Sequence, residues 1–151
     1  PAGRMLERSP EAPAPAPPAR PLRVALVDDN AQILRALGLL LQGAGHQVVA
    51  AATSQALLAG LGDHRPDLVI SDYRLGAGQT GFDVIDRVRQ VYGQDVPALI
   101  ITGDTDPELI RSMAEHGIEI QFKPLNPADL LAFVDQVPNG ACHDLARVVG
   151  G

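Results

Sequence analysis

The chain has 151 residues, which is enough for one domain with a substantial hydrophobic core and too few for two. The formal net charge is -6, and Lys and Arg form no clustered stripe in the sequence, which argues against direct binding of nucleic acid or of an anionic membrane surface. Cys142 is the single cysteine, so the chain can form neither an internal disulfide nor a cysteine-based zinc site, and it fits a reducing compartment.

The two ends of the chain differ from the middle. Residues 1–21 hold seven of the 13 prolines, a composition that favours extended polyproline conformations over a packed fold. We predict a semi-rigid Pro/Ala-rich linker there that joins the domain to a preceding segment; a ligand for a proline-binding module is the alternative. Residues 139–151 are predicted to form a short tail.

Residues 36–62 carry no Asp, Glu, Lys or Arg and could be mistaken for a membrane span. Glycines and polar residues interrupt this segment before it reaches the roughly 18 continuous apolar residues that a span requires. The N-terminus also lacks the basic and then apolar pattern of a signal peptide. We therefore predict no direct membrane contact.

From residue 22 onward, short apolar runs alternate with segments whose apolar residues recur at helical spacing. Apolar runs of this length are typical of buried strands in a parallel sheet. The five predicted strands span residues 22–28, 46–52, 68–72, 97–102 and 118–122. The alternation predicts a doubly wound, five-stranded parallel sheet with helices on both faces.

Capping residues mark where each helix begins. The predicted N-terminal signals are Asn30; Thr53 or Ser54; Thr80 with Asp83 as a capping box; Asp106 followed by Pro107; and Asn126 followed by Pro127. The residues predicted to face the core are Ile33, Leu34, Leu37 and Leu41 in the first helix, Leu57, Leu58 and Leu61 in the second, Val84, Ile85, Val88 and Val91 in the third, and Leu130, Leu131, Val134 and Val137 in the fifth.

Polar side chains lie where four of the predicted strands end. Asp28 and Asp29 end the first strand, Asp72 the third and Thr102 the fourth, and Lys123 follows the fifth. Because the carboxyl ends of parallel strands lie on one edge of the sheet, we expect these side chains to meet there. Three carboxylates in a small space repel one another, and a bound cation relieves that repulsion. A few hard oxygen ligands suit Mg²⁺ better than zinc or a calcium cage.

A metal ion, a carboxylate, a hydroxyl and a lysine are together the parts of a phosphoryl-transfer site. In this hypothesis Asp72 attacks phosphorus to give an aspartyl phosphate, Lys123 and the metal neutralise charge on the transferring oxygens, and Thr102 donates a hydrogen bond. Each residue taken alone is as readily a helix cap or a solvated loop residue. Their coincidence at the correct strand ends favours the shared site.

Four short motifs in this order resemble the receiver domain of two-component response regulators. They are VDDN at 27–30, SDYRL at 71–75, ITGD at 101–104 and FKP at 122–124. The resemblance implies a flavodoxin-like fold with strand order 2-1-3-4-5 in a receiver domain of residues 22–138. It also implies that Asp72 accepts a phosphoryl group from a phosphohistidine, on a histidine kinase or a histidine phosphotransfer domain, with Mg²⁺ as the cofactor.

The resemblance assigns roles residue by residue. Asp72, Thr102 and Lys123 are the implied catalytic residues. The implied metal ligands are Asp28, mainly through water, Asp29 directly, Asp72, and Arg74 through its backbone carbonyl. The side chain of Arg74 is then predicted to be a solvated charge. The Lys123-Pro124 bond matches a position where the family usually has a cis peptide, which would direct the lysine inward.

The motif GxTGxDVI at 78–85, together with the Pro-rich segment, resembles the C-terminal receiver of a hybrid sensor histidine kinase. A stand-alone response regulator is the alternative. We expect a bacterial, cytoplasmic protein, tethered in the hybrid case to a membrane sensor through the N-terminal linker. Such a domain catalyses its own phosphorylation and dephosphorylation, and a hybrid parent would be a protein-histidine kinase.

The sequence departs from the family pattern at three places. Ile120 stands three residues before Lys123, where the family commonly has Tyr or Phe, which predicts a change in how Thr102 is coupled to the fourth helix and fifth strand. Gly103 predicts open access to the phosphoryl group. Gly76 and Gly78 replace a frequent proline and predict a loose loop in the apo state.

Three other functions fit the sequence less well. A receiver-like module that docks to a histidine kinase without being phosphorylated is the runner-up, although the acid pair, Asp72 and Lys123 argue against it. A phosphatase of the haloacid dehalogenase type needs a DxD pattern after the first strand, and residues 28–31 read DDNA. A dinucleotide-binding domain is excluded because no GxGxxG follows that strand.

The four histidines are scattered over a strand start, a loop, a helix end and the tail. They are His46, His64, His116 and His143. None pairs with another at metal-ligand spacing, so solvated or capping roles are predicted for them.

Overall fold

A computed structural model describes residues 21–76 and 78–137 of the protein. Nearly all of the predicted linker and the whole predicted tail, with Cys142 and His143, lie outside the described residues. In the described part of the chain, no helix is both long enough and apolar enough to cross a membrane.

Five parallel strands form one sheet in the order β2-β1-β3-β4-β5. Their bounds are β1 Arg23–Val27, β2 Gln47–Ala51, β3 Leu68–Asp72, β4 Ala98–Thr102 and β5 Ile118–Phe122. The flavodoxin-like class and the strand order predicted from the sequence are therefore confirmed. Each observed strand lies within its predicted range, and the third and fifth match it at both ends.

The strand register brings the predicted site residues to one edge. Val27 pairs with Ser71, so Asp28 follows β1 beside Asp72 at the end of β3. Asp72 pairs with Ile101, one residue before Thr102. Thr102 pairs with Phe122, and Lys123 follows at the same level. The carboxyl ends of β1, β3, β4 and β5 therefore lie side by side at one edge of the sheet.

In the described residues, five helices connect and follow the strands. Their bounds are α1 Ala31–Gly43, α2 Ser54–Leu61, α3 Gly81–Tyr92, α4 Pro107–Glu115 and α5 Pro127–Gln136. The predicted caps are present at Asn30, Asp106 and Asn126, whose side chains accept backbone N–H groups of the first turn. Thr53, rather than Ser54, caps α2. At α3 the carboxylate of Asp83 accepts the N–H of Thr80 at 2.9 Å, as a capping box requires.

The core is divided by the sheet into two clusters. Alternate residues of β1 point to opposite faces, with Ala25 and Val27 on one side and Val24 and Leu26 on the other. The first face is covered by α2, α3 and α4, and the second by α1 and α5. This is the arrangement of helices on both faces that the sequence predicts.

The prediction that Val91 faces the core is wrong. Val84, Ile85 and Val88 are buried, but Val91 is 58% exposed. In the last turn of α3 the neighbouring Tyr92 makes the inward contact instead: its ring packs against the core, and its hydroxyl donates to the carbonyl oxygen of Gly62 at 2.6 Å. The larger, amphipathic side chain covers the space that helical spacing had assigned to Val91.

Candidate functional site

The three carboxylates after β1 and β3 come together. Asp28, Asp29 and Asp72 each offer an oxygen, and these oxygens lie within 4.8 Å of one another. Asp28 and Asp72 are buried and Asp29 is exposed. Burial raises the pKa of Asp28, and the nearby charges of Asp72 and Asp29 raise it further, while the hydrogen bond from Asn30 and the charge of Lys123 oppose the shift.

This donor set fits a hard divalent cation. Carboxylate oxygens are the ligands that Mg²⁺ prefers, and the exposure of Asp29 keeps one side of the cluster open to the water molecules that magnesium retains. Asp28 is held in place by its Oδ1, which accepts the N–H of Asn30 at 2.9 Å. The predicted ligand carboxylates are thus brought together, and their chemistry suits the predicted metal.

Lys123 reaches the same cluster from β5. Its Nζ lies 3.1 Å from Oδ1 of Asp72, with the lysine side chain 42% exposed and the aspartate side chain 10% exposed. The Lys123-Pro124 bond is cis, as the resemblance implied. The backbone N–H of Lys123 donates to the carbonyl oxygen of Thr102 at 2.9 Å, which fixes the start of this segment against β4.

Thr102 ends β4, which lies between β3, the strand that ends in Asp72, and β5, the strand that Lys123 follows. Its side chain is buried, and its Oγ1 accepts the backbone N–H of Asp104 at 3.0 Å. A hydroxyl that accepts this bond still carries a proton for another acceptor. Thr102 lines the same cavity as Asp72 and Lys123.

An open cavity of about 470 Å³ lies over these residues. Its lining consists of Asp72, Arg74, Thr102, Gly103, Asp104, Thr105 and Lys123. Asp104 and Thr105 were not singled out in the sequence, although Asp104 belongs to the ITGD motif that ends β4. A Cβ built on Gly103 meets no atom within 4 Å, consistent with the open access predicted at this position.

The side chain of Arg74 makes two contacts that were not predicted from the sequence. It is 79% exposed, as expected of a solvated charge, but its Nη2 lies 3.3 Å from Oδ2 of Asp104. The guanidinium carbon also lies 5.7 Å from the centre of the Tyr73 ring, within range of a cation–π contact. This ion pair joins the loop after β3 to the loop after β4 at the cavity.

Backbone hydrogen bonds hold the loop after β3 at several points. Leu75 N–H donates to Gln79 O at 3.0 Å, and Arg74 forms an isolated bridge with Thr80. The N–H of Gly81 donates to Tyr73 O at 2.7 Å. A loose loop was predicted at Gly76 and Gly78. These hydrogen bonds hold the backbone on both sides of those glycines.

The remaining predicted positions lie away from this cavity. Ile120 is half-buried, packs against the core and lines a separate groove between α4 and β5. His46 is buried, so a solvated role is wrong there; its Nδ1 accepts the N–H of Leu22 at 3.1 Å. His64 is exposed. His116 follows α4 as its C-cap, with its ring packed edge to face on Phe82.

Comparisons with known proteins identify the family of this chain. The family model described as the response regulator receiver domain matches residues 24–135. The DNA-binding response regulator MtrA of Mycobacterium tuberculosis is 30% identical over 113 residues, which are 74% of this chain and 48% of that protein. The transcriptional regulatory protein KdpE of the same organism is 31% identical over 110 residues, covering 72% of this chain and 47% of that protein.

The chain thus spans about half the length of the curated relatives it matches. Among solved structures, chemotaxis protein CheY4 of Vibrio cholerae is 32% identical with a TM-score of 0.70, covering 79% of this chain and 100% of that one. A response regulator from Chloroflexus aurantiacus is 30% identical with a TM-score of 0.67, covering 78% of this chain and 98% of that one.

Proposed function

The chain belongs to the response regulator receiver domain family of two-component systems, and on that premise we propose that Asp72 accepts a phosphoryl group from a phosphohistidine in a reaction that requires Mg²⁺. The observation that carries the proposal is the meeting of three carboxylates, a buried hydroxyl and the Lys123 ammonium at one edge of the sheet. A site with these groups has both an acceptor for phosphorus and the means to stabilise the charge that builds on its oxygens.

The transfer is a displacement at phosphorus. A carboxylate oxygen of Asp72 forms a bond to phosphorus while the bond from phosphorus to the imidazole nitrogen breaks, and the electron pair of that bond leaves with the histidine of the donor. The product is an aspartyl phosphate on Asp72. Hydrolysis returns the carboxylate and releases inorganic phosphate, so the domain can end its own signal.

The residues around Asp72 have distinct tasks. Lys123 already pairs with Oδ1 of Asp72, and we propose that it moves its charge to a phosphoryl oxygen as the new bond forms. Thr102 donates its hydroxyl proton to a second phosphoryl oxygen. Asp28, Asp29, Asp72 and the backbone carbonyl of Arg74 would hold magnesium, which supplies the positive charge that offsets both the carboxylates and the incoming phosphate.

Receiver domains interact with histidine kinases or histidine phosphotransfer proteins, and we propose a donor of that class in the cytoplasm. For the longer protein we retain the C-terminal receiver of a hybrid sensor kinase as the proposal, supported by the GxTGxDVI motif and the Pro-rich segment. The names of the matched relatives favour a stand-alone regulator as the alternative. The coding sequence on both sides of this segment separates the two.

Intact-mass spectrometry after incubation with acetyl phosphate tests the phosphoacceptor proposal. A single phosphoryl adduct is expected with magnesium and not without it, and it should vanish in Asp72→Asn. Asp86→Asn, which alters an exposed carboxylate on α3, is the matched control and should retain the adduct. An adduct that persists in Asp72→Asn contradicts the assignment. No adduct with acetyl phosphate or with a histidine-kinase donor favours the docking module instead.

A further inference from the structure

We propose that Gly81 is a positioning residue for the phosphoacceptor: its lack of a side chain lets the start of α3 lie directly against the backbone of Asp72. The inference rests on the proposed function of Asp72 and adds a residue that has no chemistry of its own. Gly81 is the first residue of α3 and is buried.

The space at Gly81 is closed on the side of the phosphoacceptor. A Cβ built on Gly81 lies 2.8 Å from the carbonyl oxygen of Asp72, a separation that Cβ atoms in proteins essentially never show. The same Cβ lies 3.1 Å from Cδ1 and 3.2 Å from Cγ1 of Ile100. Gly81 is not among the glycines with positive φ, so its backbone conformation is open to alanine and the missing room is the obstacle.

The nearest obstacle is backbone and cannot rotate away. The second obstacle, Ile100, is fully buried in the middle of β4, where close packing leaves few alternative rotamers. Gly60 provides a contrast, because the nearest atom to its Cβ, at 2.9 Å, is Cγ1 of the partly buried Val49 side chain. An alanine at Gly60 can be accommodated by a side-chain shift, whereas an alanine at Gly81 must move a strand end or a helix.

The backbone that would move carries the site. The N–H of Gly81 donates to Tyr73 O at 2.7 Å, and the N–H of Tyr73 donates to Ile101 O at 2.9 Å. The turn that leaves Asp72 is therefore held between α3 and β4. Displacing it shifts the Asp72 carboxylate relative to Lys123 and shifts the Arg74 carbonyl proposed to face the metal.

Gly81→Ala is expected to slow phosphoryl uptake from acetyl phosphate by roughly tenfold or more, since misplacing reacting groups by about 1 Å can slow a reaction by about 10²-fold. We also expect the magnesium concentration that gives half-maximal uptake to rise. Gly60→Ala has a similarly tight contact far from Asp72 and should leave both values unchanged. The free energy of unfolding in urea, without magnesium, is measured for each variant so that rates refer to folded protein.

The double variant Gly81→Ala/Ile100→Val separates positioning from packing. Valine removes Cδ1 of Ile100, the side-chain atom nearest to the new methyl group, but leaves the contact with the Asp72 carbonyl. We expect it to recover part of the stability lost in Gly81→Ala while uptake stays slow. Recovery of both stability and rate would reduce Gly81 to a packing residue and overturn the proposal.

The remaining outcomes are also decisive. Uptake at the wild-type rate in Gly81→Ala overturns this inference alone. If neither Gly81 variant folds, the residue serves folding rather than positioning, and the inference fails. If the wild-type protein itself acquires no phosphoryl group from either type of donor, the proposed function fails, and this inference fails with it.

Discussion

The Nζ atom of Lys123 lies 3.1 Å from Oδ1 of Asp72, although Lys123 follows β5, which is not a neighbour of the strand that ends in Asp72. β4 lies between β3 and β5, so the lysine reaches across the end of β4, where Thr102 is buried. Lys123, Thr102 and Asp72 therefore line one cavity. Because the lysine side chain is 42% exposed, water screens and weakens this pair, as the proposed move of the lysine to a phosphoryl oxygen requires.

Lys123→Ala is expected to slow phosphoryl uptake by roughly 10²-fold, the usual effect of removing one group that stabilises transition-state charge. Magnesium binding should persist because the lysine is not a ligand. Time courses of adduct mass at saturating magnesium give the rate. Lys123 is the only lysine of the chain, so acetylating lysine amines should reproduce the loss. An unchanged rate in Lys123→Ala would remove Lys123 from the mechanism.

Asp28→Asn is expected to stabilise the metal-free protein at neutral pH by about 1 kcal/mol, because it removes one of three mutually repelling charges. Asparagine retains an oxygen that can accept the N–H of Asn30. Burial raises the pKa of Asp28 in the folded state, so wild-type stability falls as pH rises from the ordinary carboxyl pKa toward the raised one. The gain in Asp28→Asn should therefore be larger at pH 7 than below about pH 4, where it disappears.

Urea unfolding in the presence of a chelator measures this effect at both pH values. Asp86→Asn, at an exposed position of α3, should change the free energy of unfolding little at either pH. Added magnesium should stabilise the wild-type protein more than Asp28→Asn, because the variant binds the metal more weakly. A variant less stable than wild type at pH 7 without metal would show that the favourable contacts of the Asp28 carboxylate outweigh its repulsion from the other two carboxylates.

Removing the positive or the negative charge of the Arg74–Asp104 ion pair should change the rate of phosphoryl uptake in opposite directions. The pair is exposed, so breaking it should change the free energy of unfolding by less than about 0.5 kcal/mol. At low salt Arg74→Ala should slow uptake from anionic acetyl phosphate a few-fold, and Asp104→Asn should accelerate it. Both effects should shrink as salt rises, since the charges face solvent. Changes in the same direction for both variants would contradict this electrostatic account.

The strand ends explain why much of the site could be predicted from the sequence. Four of the five apolar runs stop at a polar residue, and parallel strands bring those residues to one edge, so Asp28, Asp72, Thr102 and Lys123 could be grouped without knowledge of the loops. Helix starts were equally predictable because a cap is a local hydrogen bond. Asn30, for example, accepts the N–H groups of residues two and three positions later.

Contacts between distant loops were not predictable in this way. Arg74 and Asp104 are 30 residues apart and lie on separate loops, whose conformations no periodicity fixes. His46 is buried with its Nδ1 accepting the N–H of Leu22, 24 residues earlier in the chain, and neither fact follows from the local sequence. Gly81 looked like an ordinary helix start, and its closeness to the Asp72 carbonyl follows only from how α3 packs on β3.

Arg89 connects three segments of the fold, and its removal should destabilise the domain by about 2 kcal/mol. Its Nε donates to Val96 O at 3.0 Å, and its two terminal nitrogens donate to His116 O at 2.6 Å and Gly117 O at 3.2 Å. Arg89→Gln cannot reach all three carbonyls. Arg87→Gln, at an exposed position two residues earlier on α3, is the control. Equal free energies of unfolding for the two variants would refute this role.

The buried imidazole of His46 should make the free energy of unfolding depend on pH below neutrality. Its Nδ1 must be unprotonated to accept the N–H of Leu22, and burial lowers its pKa, while the charge of Asp135 opposes that shift to a smaller extent. The unfolded chain therefore takes up a proton first, at its ordinary pKa of about 6.5. The contribution of His46 is full above that pH and is lost as pH falls toward the lowered pKa of the folded state.

Urea unfolding between pH 5 and pH 8 measures this dependence. The wild-type free energy of unfolding should fall more steeply below about pH 6.5 than that of His46→Gln, whose side chain does not titrate. His64→Gln, which removes an exposed imidazole instead of the buried one, is the control and should retain the wild-type slope. Parallel profiles for wild type and His46→Gln would mean that the imidazole of His46 is free to charge within the fold, contrary to its buried hydrogen bond.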